Sequence, residues 1–448
     1  MYATAFLAVL FGASAVDSVL GAAVPSYVSR HRARHASMPG LQLINGQVKT
    51  SSYIIKLADN VTDRSAHLEW ANSMVAESKA SDATTVQTFN QTVFDGYAGE
   101  FDDDCVAKLI ASADVAWVEE DAVVRISGSQ TNAPWGLSRL SSSTPLPANS
   151  NVNSLTFDYT FNDEAGSGVD VYIIDTGIRD THRDYQGRAQ MIFSLPGLAE
   201  TDDNGHGSHV AGTIGGNIFG VAKKTSLFGV KVMDADGSGS TSGIIQGIQV
   251  AMQAAAQSNR PSVINMSIGG AGSRALDNAA TAAVNSGMFV VVAAGNDAVD
   301  AGTESPARAP AVITVGAMNI LDRVSTFSNF GSSVDIFGPG EDIISCGIAD
   351  DTDVASLSGT SMATPHIAGL VALLVSQQPD ITPAGMSDLI QSLGTSNALK
   401  GVPTRDTINL LAQNLLPDTG LSTTSTSLIS TTAAPSTRTA ENATTTLN

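Results

Sequence analysis

Four short phrases in this chain set a reactive side chain among small or turn-forming residues. In Ile173-Ile174-Asp175-Thr176-Gly177 an Asp directly follows an apolar, β-branched run. A carboxylate there lies where open α/β sheets gather their ligands, although a lone Asp serves equally well as a turn or cap. In the stretch from Asp203 to Thr213, glycines flank His206. Backbone can then approach closely while the imidazole projects from a helix start. His206 and His209 lie one helical turn apart, but no Glu stands between them and no third ligand is near, which disfavours zinc. His209 is expected to be structural. In the stretch from Ser358 to His366, Gly359 and Thr360 make a turn, Ser361 opens a helix, and Pro365 is expected in its first turn. Free N–H groups at a helix start stabilise negative charge, such as a tetrahedral oxyanion. In Val292-Ala293-Ala294-Gly295-Asn296 an amide follows a buried strand and offers a second oxyanion donor. A hydroxyl attacks a carbonyl only if a base takes its proton, and a histidine does so best when a carboxylate fixes its tautomer. Ser361, His206, Asp175 and Asn296 are therefore a candidate set for acyl transfer. The second glycine of the lipase elbow is missing, since Ala363 stands there.

Such groups must be carried by rigid elements. From Val169 onward, apolar strands alternate with Ala-rich helical stretches. Val169–Ile174, Val263–Met266 and Met288–Val292 are continuous apolar runs, and Ile244–Ala256 and Ala275–Ser286 have helical period. Continuous runs suit a sheet covered on both faces. The expected fold class is α/β, a doubly wound, mainly parallel sheet with helices on both faces, preceded by a small α+β domain. In that first domain, strands are expected at Tyr53–Leu57, Val93–Phe101, Val115–Val118 and Val123–Val124. Helices are expected over Ala66–Lys79 and from Asp102 to Ile110.

Composition narrows the function. The chain has 448 residues, 43% of them hydrophobic, enough for packed cores. A net charge of −20 lacks the basic footprint of a nucleic-acid binder. Two cysteines exclude a disulfide scaffold. No apolar run reaches the ~20 residues of a membrane span. Residues 1–15 are expected to be a signal peptide ending at Ala13-Ser14-Ala15, with Gly21-Ala22-Ala23 as the alternative end. Half of the residues from Pro417 to Asn448 are Ser or Thr, which reads as a disordered, O-glycosylated tail. Leu416-Pro417-Asp418-Thr419-Gly420 is like a bacterial wall-sorting signal but lacks the apolar and basic stretches that must follow it. Sequons occur at Asn60, Asn90, Asn265 and Asn442; Asn265 falls on a buried strand and is not expected to be modified.

The chain order Asp175, His206, Ser361 is that of subtilisin, not of chymotrypsin or the lipases. The phrases around these residues resemble the subtilisin-family serine peptidases, and within them the secreted fungal proteinase K group. Gln130–Leu137, Gly220–Ala222, Phe228–Val232 and Phe327–Gly331 extend the resemblance across residues 128–416. Residues 51–127 resemble the family's inhibitory propeptide, within a propeptide spanning 16–127.

The resemblance implies a secreted, monomeric endopeptidase acting on proteins, with broad, apolar-leaning specificity and no catalytic metal. It implies that the propeptide is inhibitor and folding template, removed between Ser127 and Gly128. Substrate would add as a strand between Ser238-Gly239-Ser240 and Ser267-Ile268-Gly269, with the first pocket walled by Ser267–Gly269 and Ala293-Ala294-Gly295. One structural calcium would be held by the carbonyls of Pro310 and Val312 and by Asp335. A second family site is not carried over, because Ala398 stands where an Asp is needed. The chain departs from the group in cysteine usage: Val210 replaces a frequent Cys, and Cys346 is expected to be unpaired, buried and inert. The tail is a candidate tether to the cell wall.

Overall fold

The computed structural model describes residues 38, 40–42, 48–78, 85–122 and 127–414. The expected signal segment, the Val123–Val124 strand, the Ser/Thr-rich tail and Asn442 lie outside them.

The first unit is built on the strand Val48–Leu57, flanked antiparallel by Gly96–Glu100 and Val115–Ala122. Helices Arg64–Glu77 and Asp103–Ala111 cover it. Tyr53, Ile55 and Leu57 alternate onto the covered face, where Met74, Val75, Val106 and Leu109 bury them. The second helix starts because the Asp102 carboxylate accepts the Cys105 N–H at 3.0 Å, with Asp103 and Asp104 in its first turn. The expected strand from Val93 is shorter than its sequence suggests, and Val93 is 84% exposed. Asn90 makes a tight turn instead: its carbonyl accepts from the N–H groups of Val93 and Phe94, and its side chain from Thr92. Asn60 and Asn90 are both exposed.

The large unit is organised by a nine-stranded sheet. Its strands are β1 (Asp170–Asp175), β2 (Ala189–Ser194), β3 (Ser226–Lys231), β4 (Ser262–Met266), β5 (Phe289–Ala293), β6 (Ile313–Met318), β7 (Ile336–Pro339), β8 (Thr395–Ser396) and β9 (Leu410–Leu411). The order across the sheet is β8-β9-β7-β6-β5-β4-β1-β3-β2, parallel except for the β8–β9 pair. The helices that matter for the site are α1 (His206–Gly215), α2 (Thr241–Ser258), α3 (Arg274–Asn285) and α4 (Thr360–Gln377).

The apolar strands divide by the period of two. Val171 and Ile173 point to one face, onto Val210 and Ile214 of α1 and Ile367 and Val371 of α4. Tyr172 and Ile174 point to the other, onto Ile244 and Ile248 of α2 and Leu276 and Ala280 of α3. Both faces need apolar residues, so the strands read as unbroken runs. Helix α4 is buried almost all round, which explains its lack of a polar stripe. α2 and α3 are started by Ser240 and Ser273, whose hydroxyls accept from Gly243 and Leu276.

β1 is the pivot. The chain passes from β1 to β2 and β3 on one side, then crosses to β4 and β5 on the other. Register places Lys231 opposite Asp175, Asn265 opposite Ile173, and Met266 opposite Val292. The carboxyl ends of β1, β3, β4 and β5 thus share one edge at the point where strand order reverses, where ligands bind in such sheets.

Candidate active site

At that edge β1 ends in Asp175, which is fully buried. Its Oδ1 accepts from Thr176 N at 2.8 Å and from His206 Nδ1 at 2.7 Å. A carboxylate only accepts, so Nδ1 carries the proton and Nε2 is left as the basic nitrogen. His206 is the first residue of α1, and about a quarter of its side chain is exposed. Burial alone would lower its pKa. The charge and hydrogen bond of Asp175, helped by the charge of Asp202, outweigh burial, and His206 titrates above the ordinary histidine value. Gly207 is required beside it, because a Cβ there would come within 2.1 Å of the Gly177 carbonyl.

Two neighbours that the sequence did not single out hold this half of the site. Asp202 accepts at Oδ1 from Thr176 Oγ1, Asn204 N and Gly205 N, and at Oδ2 from Ser208 N and Oγ, all within 3.1 Å. It therefore joins the residue after Asp175 to both sides of His206. Lys231, fully buried, donates to the Thr176 carbonyl and to Asp203 Oδ1. The acidic character of 202–203 was visible in the sequence, but its partners come from β1 and β3.

Ser361 is the second residue of α4 and is partly exposed. Its hydroxyl donates to the Ser267 carbonyl at 2.8 Å rather than to His206, and the Ser267 hydroxyl donates back to the Ser361 carbonyl at 2.8 Å. That carbonyl is available because Pro365, four residues on, has no N–H. Pro365 lies in the second turn of α4, not the first, since the helix starts at Thr360. Its missing donor is taken up by Ser267, which in turn accepts from Asn265 Nδ2 at 3.0 Å. Asn265 is fully buried, in keeping with an unmodified sequon.

Asn296 is exposed at the loop after β5. Its Oδ1 accepts from Thr360 N at 2.8 Å and Thr360 Oγ1 at 3.0 Å. With the oxygen occupied, the amide NH2 is the end left to meet a ligand beside Ser361. Ser238–Ser240 are exposed, Ser267, Ala293 and Ala294 are buried, and Ile268 and Gly295 are intermediate. Close to Gly269 and Gly295, one from each expected pocket wall, lies a group the sequence did not reveal, the half-buried Glu304.

His209 is structural as expected: it is buried, its Nε2 donates to the Ile343 carbonyl at 2.8 Å, and burial pushes its pKa down to about 3. Cys346 is buried and free, and so is Cys105. Burial and the nearby Asp184 hold the Cys346 thiol far above its ordinary pKa, so it is inert. The Ser127–Gly128 bond begins a strand, Ser127–Ala133, paired antiparallel with Phe157–Asn162.

Asp335, expected to hold calcium, is fixed by its main-chain neighbours. Asp335 N donates to the Thr314 carbonyl and Thr314 N donates to Asp335 Oδ2, at 2.9 and 2.8 Å, which pins the carboxylate beside the 310–314 turn. Burial exceeds the help of that one N–H and raises its pKa to about 6. A carboxylate with a single N–H partner is a hard oxygen donor of the kind calcium takes. No cluster of three His, Cys, Asp or Glu side chains that could hold a metal exists among the described residues.

A doubly wound sheet with an Asp–His pair, a helix-start serine and an oriented amide at its switch point is the arrangement expected of a serine peptidase of the subtilisin kind. Comparison with known proteins agrees: residues 166–407 match the subtilase family model and residues 52–127 match the peptidase inhibitor I9 model. The chain belongs to the subtilase family. It is 43% identical to the subtilase-type proteinase psp3 of Schizosaccharomyces pombe, over 82% of each chain. It is also 43% identical to a cuticle-degrading protease of Metarhizium anisopliae, over 81% of this chain and 89% of that one. Proteinase T of Parengyodontium album is 45% identical over 66% of this chain and 98% of its own. The crystal structure of a cold adapted subtilisin-like serine proteinase matches with a TM-score of 0.57 and 41% identity, covering 64% of this chain and all of that one. The protein is a serine endopeptidase with an inhibitor-type propeptide.

Proposed function

We propose that Ser361 is the nucleophile, His206 its base and Asp175 the carboxylate that orients the base. Substrate binding turns the Ser361 hydroxyl from the Ser267 carbonyl toward His206 Nε2. The Oγ–carbon bond forms as the proton passes to Nε2, and the carbonyl electrons move onto oxygen. That oxyanion is met by Asn296 Nδ2 and the Ser361 N–H. His206 then gives its proton to the leaving amine as the C–N bond breaks, and water repeats the cycle on the acyl-enzyme. The observation that carries this reading is the 2.7 Å His206–Asp175 bond at the sheet edge that also holds Ser361 and Asn296. A fluorophosphonate probe is expected to label Ser361. Processed protein that stays unlabelled would sink the assignment.

The protein is secreted as a zymogen, a reading supported by the short apolar start of the chain and its A-x-A pattern. No helix among the described residues is long and apolar enough to cross a membrane. Residues 16–127 form the propeptide, cut after Ser127, and 128–416 the peptidase. Substrate pairs between 238–240 and 267–269, and the small, largely apolar walls of the first pocket admit long side chains. Pro310, Val312 and Asp335 hold one structural calcium, which neutralises a carboxylate left short of partners. Ser361→Ala is expected to give an unprocessed precursor; maturation of that variant on its own would exclude self-cleavage.

A further inference from the structure

We propose that Glu304 is the acidic end of the first specificity pocket and selects substrates with Lys or Arg on the acyl side of the cut bond. This rests on the pocket reading given above and names the side chain that the pocket takes.

The backbone brings Glu304 there. Gly270 and Ala271, which continue the 267–269 wall, pair antiparallel with Ser305 and Glu304. The pairing is fixed by Ser305, whose hydroxyl accepts from Ser273 N and donates to Asp277. The side chain then crosses to the other wall. A Cβ built on Gly295 would lie 2.4 Å from Glu304 Oε2, and one built on Gly269 would lie 3.8 Å from the same atom. One carboxylate oxygen thus stands close to both Gly295 and Gly269, a glycine from each expected wall. Gly295 is also at φ +106°, so both its backbone and the space beside it require glycine.

The charge of Glu304 is not cancelled by the protein. Among the described residues no ion pair engages it. Arg308, the nearest base in sequence, is held by Asp277 through a 2.8 Å bond from Nε. The Asn329 amide beside Glu304 donates to the Ala294 carbonyl at 3.0 Å. Burial raises the Glu304 pKa, the Asn329 amide offsets part of this, and the like charge of Asp297 adds to it. A cationic head entering between the walls would relieve both burial and repulsion. The apolar stem of Lys or Arg would lie along Ile268, Gly269 and Gly295, the accessible parts of the two walls. Small apolar walls and an acidic end together describe a site for a long basic side chain.

The test uses processed enzyme and four peptides, succinyl-Ala-Ala-Pro-X-p-nitroanilide with X as Lys, Arg, Phe or Leu. At pH 8, kcat/KM is expected to be higher for Lys and Arg than for Phe and Leu, by about tenfold. The preference should narrow in ~1 M salt. It should also decay as pH falls and Glu304 takes up its proton. In Glu304→Gln the Lys-to-Phe ratio should drop by about tenfold. A wild-type enzyme that cleaves Phe and Leu as well as Lys and Arg overturns the proposal, and needs no variant. Failure to cleave any of the four, or casein, would overturn the peptidase assignment itself, a result distinct from an apolar preference.

Discussion

The two halves of the site are held by different forces. The Asp175–His206 half is held by charge: a buried carboxylate on the imidazole, Asp202 with five hydrogen bonds, and the Lys231–Asp203 pair. The Ser361–Asn296 half is held by neutral groups: two serines exchanging hydroxyl-to-carbonyl bonds, and an amide fixed by Thr360. Charge tunes the basicity of His206, so pH dependence belongs to the first half. Neutral bonds set position without titrating, so the second half should lose rate without moving the pH profile.

The largest break in this contrast should come from His206→Ala. Relative to wild type, kcat is expected to fall by about 10⁴ or more, with KM little changed, in enzyme quantified by absorbance. The precursor would have to be processed in trans. Next is Asn296→Ala, expected to lower kcat by about 10²–10³, a size taken from the corresponding donor in subtilisin. Its pH profile should keep the wild-type shape, and a moved acidic limb would blur the division between the halves. Asp202→Asn should act in the opposite manner. Removing a charge that raises the His206 pKa should shift the acidic limb of kcat/KM to lower pH, because the base stays neutral further into acid. The rate should fall by about tenfold through loosened geometry. An unmoved limb would make Asp202 a tether only.

The smallest effect on rate, though a clear one on stability, is expected from calcium removal. Asp335 holds its proton up to about pH 6, so calcium and proton compete there. Chelator should therefore lower the Tm more at pH 8, where the carboxylate is ionised, than at pH 5. An equal shift at both would place the ion elsewhere.

How much of this the sequence disclosed depends on how far apart the partners lie. Asp175, His206, Ser361 and Asn296 each sit in a short phrase whose neighbours explain them, at a strand end or a helix start. Glu304 could not be found that way. It reaches Gly269 and Gly295 only through its ladder with Gly270 and Ala271, and no local pattern marks that pairing. The reciprocal bonds of Ser267 and Ser361 join residues 94 apart in the chain. Pro365 shows a subtler limit: its lack of an N–H was legible, but the use made of the freed carbonyl needed the end of β4 to arrive beside it. In the first unit, the alternation of Tyr53, Ile55 and Leu57 gave the strand, while the Asn90 turn cut short another that propensity favoured.

The placement of the two thiols carries one more consequence. Cys105 is buried in the inhibitor-like unit and Cys346 in the peptidase unit, and both are free. Once the connecting peptide bond is cut, no covalent tether would join inhibitor to enzyme. Activation would then be governed by mass action: concentrated, freshly cut product stays occupied, and dilution or digestion of the released fragment turns it on.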